Sequence, residues 1–269
     1  MGKTGLRAKP EYAAVTPVAP GLRRTAWMPH GGVSHTMRTS SISPTPHMAH
    51  TVRIWDLPTR LFHWGLVLAI PGLVVTANIG GNAMAWHFRL GYCVLALLMF
   101  RLVWGFVGGR WSRFAAFACS PTRLLRYLRT GGTAQDNVGH SPLGALSVFA
   151  LLAVLLAQVG TGLFSDDEIA FSGPLTRWVS SAAVEQATRY HADIGQYLLL
   201  SLIGLHVAAI LFYVLFRQQT LVRPMIGGDK LLPVAAPPAR DDAVTRAAAF
   251  AVLAVCAAAS WWVSGLGAP

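Results

Sequence analysis

Charged residues are scarce in this 269-residue chain: Asp, Glu, Lys and Arg make up 12% of it, while 54% is hydrophobic. In soluble domains about a quarter of the residues are charged, so this composition favours an integral membrane protein. Among the charged residues, Asp and Glu are the less frequent, with 11 against 22 Lys and Arg. The net charge of +11 would suggest nucleic-acid binding in a soluble domain. Here the arginines lie between apolar runs, where basic loops set membrane topology, so no nucleic-acid partner is expected.

Cysteine is also rare, and its spacing excludes several kinds of metal site. The three cysteines, Cys93, Cys119 and Cys256, are far apart and form no C-x-x-C or C-x-x-C-H pattern. This argues against a zinc ribbon, an iron-sulfur cluster and a covalently attached c-type haem.

Residues 1–50 have no long apolar run. They are polar, rich in Pro, Gly, Ser, Thr and Arg, and show no hydrophobic periodicity. We therefore predict a disordered N-terminal extension that is not a signal peptide.

Five apolar segments after this extension predict an all-α integral membrane protein. Residues 51–228 should form a four-helix domain, residues 229–242 a linker, and residues 243–263 a further C-terminal transmembrane helix. The four helices of the domain are expected from about residue 57 to 79, 86 to 107, 143 to 164 and 189 to 216. Asp56 or Thr59 can cap the first helix, and Pro58 suits its first turn.

The distribution of basic residues predicts the orientation of these helices in the lipid bilayer. Lys and Arg concentrate before the first span, between the second and third, and between the fourth and fifth, whereas the other loops are neutral or acidic. The positive-inside rule then places the N-terminus in the cytoplasm.

Histidines recur at two depths of the predicted bundle. His191 and His206 are fifteen positions apart on the fourth span, which is roughly 22 Å along a helix with a rotational offset of about 60°. The orientation puts His206 at the cytoplasmic depth of His63, and His191 at the external depth of His87. Two facing imidazoles in a helical bundle can supply both axial ligands of a b-type haem. The alternatives are an interfacial histidine and a hydrogen bond between helices, or a haem-free transporter or anchor with a histidine proton relay.

Glycines and arginines near the four histidines are further candidates for haem contacts. Gly91 and Gly195 each follow a histidine by four positions, where the lack of a side chain makes room for a flat ring, although small residues also serve helix packing. Arg89 and Arg101 could bind haem propionates, while Arg101 could also snorkel to the headgroups. His140, just before the third span, is interpreted as an interfacial residue rather than a ligand.

With these residues assigned, the chain resembles the bacterial cytochrome b561 family, in particular the cytochrome b subunits of nickel-iron hydrogenases. The resemblance covers residues 52–228 and depends on the blocks W-D-L-P-T-R-L-F-H-W, W-H-F-R-L-G-Y, G-H-S-P-L-G-A-L, T-G-L-F-S-D-D, the helix with His191 and His206, and L-V-R-P-M-I-G-G. It implies a four-helix transmembrane core with two haem b groups, whose iron ligands are His63, His87, His191 and His206. It also implies the bacterial cytoplasmic membrane, with quinone as one partner.

The leading functional hypothesis is single-electron transfer between a redox partner and the membrane quinone pool. The redox partner would be a hydrogenase, a dehydrogenase or a cytochrome c type protein, and a quinone would bind at a lipid-accessible edge near one haem. A stand-alone superoxide:quinone oxidoreductase is the alternative enzyme in the same fold.

Overall fold

Five helices of the computed structural model are long and apolar enough to cross a membrane, which confirms the predicted all-α membrane fold. The structure describes residues 49–267, so all but the last two residues of the predicted disordered extension lie outside the described part. In chain order the elements are β1 (His50–Arg53), α1 (Leu57–Ile79), α2 (Met84–Val107), α3 (Phe114–Phe117), α4 (Pro121–Thr130), α5 (Pro142–Gly162), α6 (Ser181–Arg189), a π-helical segment (Tyr190–Gly195), α7 (Gln196–Leu215), α8 (Val222–Gly227), β2 (Asp229–Leu232) and α9 (Ala243–Gly265).

Helix α1 begins at a buried carboxylate. Asp56 Oδ1 accepts a hydrogen bond from the backbone N–H of Thr59 at 2.8 Å, so Asp56 is the residue that caps the helix. Its Oδ2 accepts from Ser112 Oγ at 2.7 Å and from Trp104 Nε1 at 3.3 Å. Because Trp104 belongs to α2 and Ser112 follows it, this carboxylate ties the start of α1 to the end of α2.

The transmembrane helices form two packed groups joined through α2. Helix α2 packs against α1, α9 and α5, and α7 packs against α5. Val94 and Leu98 of α2, Leu155 of α5 and Leu199 of α7 are buried in the common core. The helix predicted at residues 243–263 is α9, and its Ser260 Oγ donates a hydrogen bond to a backbone carbonyl of α2 at 2.7 Å.

A small antiparallel sheet closes the end of the bundle at which α1 begins. Strand β1 pairs with β2 in the register His50 with Leu232, so the segment predicted as a linker begins with a strand. Arg53 bonds to Asp229 and to Asp241, with N–O distances of 2.6 Å for each. We call this end of the bundle the platform end, and the opposite end, with the turn between α1 and α2, the far end.

The fourth span is one helical stretch from Ser181 to Leu215, but it is not uniform. Its residues Tyr190–Gly195 are π-helical, between α6 and α7. Short π segments inside α-helices occur frequently at functional sites, and this one contains His191.

Candidate functional site

His87 and His191 face each other at the far end. His87 lies in the first turn of α2 and His191 in the π segment, and their ring centroids are 6.1 Å apart with the planes at 85°. Two imidazoles that bind one metal ion from opposite sides, with metal–nitrogen distances of about 2 Å, hold their centroids roughly 6 Å apart. The spacing therefore suits a single ion held between the two rings.

Hydrogen bonds at the far end define which nitrogen of each ring is free. His87 Nδ1 lies 3.0 Å from the backbone oxygen of Leu73, and His191 Nδ1 lies 2.8 Å from that of Gln158. A carbonyl oxygen only accepts, so each Nδ1 carries the hydrogen and each neutral ring keeps its lone pair on Nε2. This is the arrangement by which a backbone carbonyl orients a metal-binding histidine.

Two α5 residues without a role in the sequence prediction hold His191 in place. Gln158 accepts from the ring through its backbone oxygen and donates through its side-chain Nε2 to the backbone oxygen of His191 at 2.9 Å. Gly162 leaves space for the ring, because a Cβ at this position would lie 2.8 Å from Cε1 of His191. Gly162 belongs to the T-G-L-F-S-D-D block, but a sequence block does not indicate which neighbour a glycine faces.

The second predicted pair, His63 and His206, lies nearer the platform end. His63 is on α1 and His206 on α7, and the two are close enough to interact electrostatically. His63 Nδ1 is buried, and none of residues 49–267 makes a hydrogen bond with it. A buried polar nitrogen without a partner is costly, so this ring is suited to a ligand that the protein chain itself does not supply.

Both pairs cross the same seam between helix groups. His63 and His87 belong to α1 and α2, whereas His206 and His191 belong to the helix that packs on α5. Each pair therefore lies across the seam between the α1–α2 group and the α5–α7 group.

The two predicted arginines have different environments. Arg89 is exposed, and its guanidinium carbon lies 4.8 Å from the ring centroid of Trp86. Arg101 is only 3% exposed, so it does not snorkel to the headgroups. Its guanidinium carbon lies 4.7 Å from the ring centroid of Phe114, and its Nη1 is buried without a hydrogen bond to the described residues.

The two predicted glycines also differ. Gly91 has open space where a Cβ would lie, as a contact with a flat ligand requires. A Cβ on Gly195 would instead collide with Gln158 Oε1 and with the ring of Tyr190. Gly195 thus serves the packing of the π segment on α5, and its contact with a haem ring stays a prediction.

Comparisons with known proteins identify the family of this chain. Residues 54–228 match the model of the family described as Prokaryotic cytochrome b561, which is more than half of the chain. The chain belongs to the prokaryotic cytochrome b561 family. Family members are helical membrane proteins that carry b-type haem and transfer electrons, so this chain is a membrane-bound b-type cytochrome.

Named relatives are similar to this cytochrome at modest identity. A "Probable Ni/Fe-hydrogenase B-type cytochrome subunit" of Azotobacter vinelandii is 26% identical over 212 residues, which is 66% of this chain and 87% of the relative. The protein of the same name from Rhodobacter capsulatus is 23% identical over 214 residues, 67% of this chain and 81% of the relative. A "Probable Ni/Fe-hydrogenase 1 B-type cytochrome subunit" of Escherichia coli K12 is 26% identical over 142 residues, 42% of this chain and 60% of the relative. No solved structure gives a significant match to this chain.

The donor set of the site is compatible with b-type haem. Each histidine pair offers two imidazole nitrogens, and the macrocycle supplies the other ligands of the iron. The far-end pair has the spacing and the tautomers for this role, Gly91 adds open space, and Arg101 offers an unpaired N–H for a carboxylate.

His140 lies against two aromatic side chains from other elements. Its ring lies between Trp55 and Phe117, with centroid distances of 4.6 Å and 4.4 Å. Its Nδ1 is buried and has no hydrogen bond to any described residue. These aromatic neighbours are distant in sequence, so only tertiary packing brings them to this ring, and the interfacial depth of His140 stays a prediction.

Proposed function

We propose that this cytochrome binds two haem b groups and passes single electrons between a redox partner and the membrane quinone pool. The far-end haem would be held by His87 and His191, and the platform-end haem by His63 and His206. The observation that carries the proposal is the far-end pair: rings 6.1 Å apart, each with its Nδ1 on a backbone carbonyl and its Nε2 free. Bound haem iron supplies the one-electron chemistry.

The helices set the two haem levels apart. His191 and His206 are separated by roughly 22 Å along the helix axis, so the pairs serve different halves of the membrane. The carbonyl oxygens of Leu73 and Gln158 orient the far-end imidazoles and raise their basicity. A quinone would bind at a lipid-accessible edge near one of the pairs.

The charge asymmetry supports an orientation with the platform end and the N-terminus in the cytoplasm of a bacterium. Lys and Arg predominate in the loops at the platform end, whereas the connection between α5 and α6 at the far end carries Asp166, Asp167 and Glu168. The Asp167 carboxylate accepts backbone hydrogen bonds, first of all from Phe171, and these hold its pKa below its usual value. The far-end connection therefore stays anionic at neutral pH.

The names of the relatives support a hydrogenase as the redox partner, since both names describe hydrogenase cytochrome subunits. A dehydrogenase or a cytochrome c type protein would use the same haem pathway.

Haem stoichiometry and the reduced-minus-oxidised spectrum of purified protein test the proposal, with two haems per chain expected. His63→Ala or His206→Ala should remove the platform-end haem and spare the other. His87→Ala or His191→Ala should do the reverse. His50→Ala, an exposed histidine of β1, is the matched control and should retain both haems. Equal loss of both haems from all four variants, with the helical content intact, would contradict the pairing.

Reduction kinetics test the electron path. Haem reduction that requires a co-purified hydrogenase or dehydrogenase, followed by oxidation on addition of a quinone, is the expected result. Rapid reduction of the isolated cytochrome by superoxide would instead identify a stand-alone superoxide:quinone oxidoreductase.

A further inference from the structure

Two buried nitrogen atoms without a hydrogen-bond partner lie on neighbouring side chains at the platform end. Arg101 Nη1 and His140 Nδ1 are buried, and neither makes a hydrogen bond with the described part of the chain. The two side chains are within electrostatic reach of each other, and His140 is also within reach of Lys230 and His206. The cluster contains basic groups from α2, from the segment before α5, from β2 and from α7.

Aromatic side chains hold the Arg101 and His140 side chains in place. The Arg101 guanidinium stacks on Phe114, and the His140 ring packs on Phe117 at a centroid distance of 4.4 Å. Phe114 and Phe117 contact each other edge to face at 6.0 Å. One aromatic wall therefore fixes both groups, and neither is a mobile surface side chain.

Asp56, a carboxylate that interacts with Arg101, makes no hydrogen bond with Arg101 or His140. Asp56 interacts electrostatically with Arg101, but its oxygens accept hydrogen bonds from Thr59, Ser112 and Trp104. Lys230 donates to the backbone oxygen of Asn137 at 2.6 Å, and burial lowers its pKa. A buried guanidinium needs an anionic hydrogen-bond acceptor, and the described residues leave that position beside Arg101 and His140 to a ligand.

We propose that Arg101 and His140 form a binding site for a carboxylate that does not belong to the protein chain. This inference depends on the proposed function for the identity of the ligand, which is a propionate of the haem held by His63 and His206. Arg101 supplies the charge, and His140 supplies a second donor whose direction is set by Trp55 and Phe117. His140 is thereby a haem-binding residue outside the four predicted iron ligands.

A comparison of haem with its dimethyl ester measures the contribution of the haem carboxylates to binding, because the ester keeps the macrocycle and the iron. Full-length cytochrome from haem-starved cells is titrated with each compound, and binding to the platform-end pair is followed in a His191→Ala background. Protein that keeps Arg101 and His140 should bind the ester at least about tenfold more weakly than haem, because one charge-assisted hydrogen bond supplies about that factor. His140→Phe keeps the stacked ring but removes the donor, and Arg101→Met removes the charge; both should bind haem more weakly and discriminate less against the ester.

Matched control variants and a second measurement distinguish loss of the carboxylate contact from unfolding of the protein. His50→Phe and Arg113→Met make the same changes at exposed positions. Both variants should prefer haem over the ester as strongly as the unmutated protein does. In protein with both haems, Arg101→Met should lower the midpoint potential of the platform-end haem, because a nearby positive charge favours the reduced state, and Arg101→Lys should restore most of it.

The results separate this inference from the proposed function. Equal binding of haem and ester with the original residues, or unchanged discrimination in His140→Phe and Arg101→Met, would overturn the carboxylate site while leaving the di-haem proposal intact. Retention of an acidic phospholipid that falls in both variants without any haem effect would also overturn it, since the anion would then be a lipid phosphate. Absence of any haem from the unmutated protein would refute both proposals.

Discussion

Replacing Gly162 by alanine should selectively weaken the far-end haem. The added Cβ would lie 2.8 Å from Cε1 and 3.1 Å from Nδ1 of His191. Carbon atoms in ordinary contact are about 3.5–4.0 Å apart, so the ring would have to move by roughly 1 Å. The ring is not free to move, because its Nδ1 is 2.8 Å from the backbone oxygen of Gln158 and its Nε2 is the proposed iron ligand.

The expected magnitude follows from the cost of overpacking. Extra methyl groups in a packed site cost about 1–3 kcal/mol, which corresponds to roughly 5- to 150-fold weaker haem binding at that site if the strain falls on the bound state. The platform-end haem should be unaffected, because His63 and His206 lie at the other level of the bundle.

Gly160 provides a matched control on the same helix. A Cβ at Gly160 would have no neighbour within 4 Å, and alanine is favoured over glycine inside a helix by about 0.5–1 kcal/mol. Gly160→Ala should therefore retain both haems and be slightly more stable than the unmutated protein. The assay is haem content and the reduced-minus-oxidised spectrum after purification. Indistinguishable haem content in Gly162→Ala and Gly160→Ala would refute the role assigned to Gly162.

Two further predictions concern side-chain contacts at opposite ends of the bundle. Gln158→Leu removes a hydrogen bond of about 1 kcal/mol to the His191 backbone and should weaken far-end haem binding about fivefold. Gln218→Leu, which loses a similar bond to the backbone oxygen of Leu215 at the end of α7, should leave haem content unchanged. The hydrogen bond from Arg53 lowers the pKa of Asp229. The Arg53–Asp229 bond therefore stabilises β1–β2 pairing fully above the unfolded-state pKa of about 3.9, and this stabilisation is lost as the pH falls through the folded-state pKa. Hydrogen exchange of the β1 and β2 amides, corrected for intrinsic rates, should accelerate as the pH falls below the folded-state pKa of Asp229. If Asp229→Asn showed the same acceleration, the role of the Arg53–Asp229 bond would be contradicted.

Patterns along single helices made much of this fold predictable. Apolar runs of transmembrane length identified the five spans, because helix length and membrane thickness are both set by simple dimensions. Alternation of basic and acidic loops predicts the orientation of the helices, and helix rise predicts two depths for the four histidines. The structure brings His87 and His191 together at the far end, whereas the ligand roles of the four histidines stay predictions.

Contacts between elements that are distant in sequence were not predictable in the same way. Gly195 has the right spacing from His191, but spacing does not tell which neighbouring helix a position faces. The structure shows that Gly195 faces Gln158 of α5. The π segment was also missed, since its residues are ordinary helix formers. Nothing near His140 in sequence indicated that Trp55 and Phe117 would pack against its ring.

The amino-acid sequence by itself determined the membrane fold and the number of apolar spans, because hydrophobicity and helix rise act locally along the chain. Only the tertiary structure decided which imidazole nitrogen is free, which glycine makes room for His191, and which buried donors lack a partner. Those properties depend on the direction of side chains across helix interfaces, which packing of the whole bundle sets and no single helix specifies.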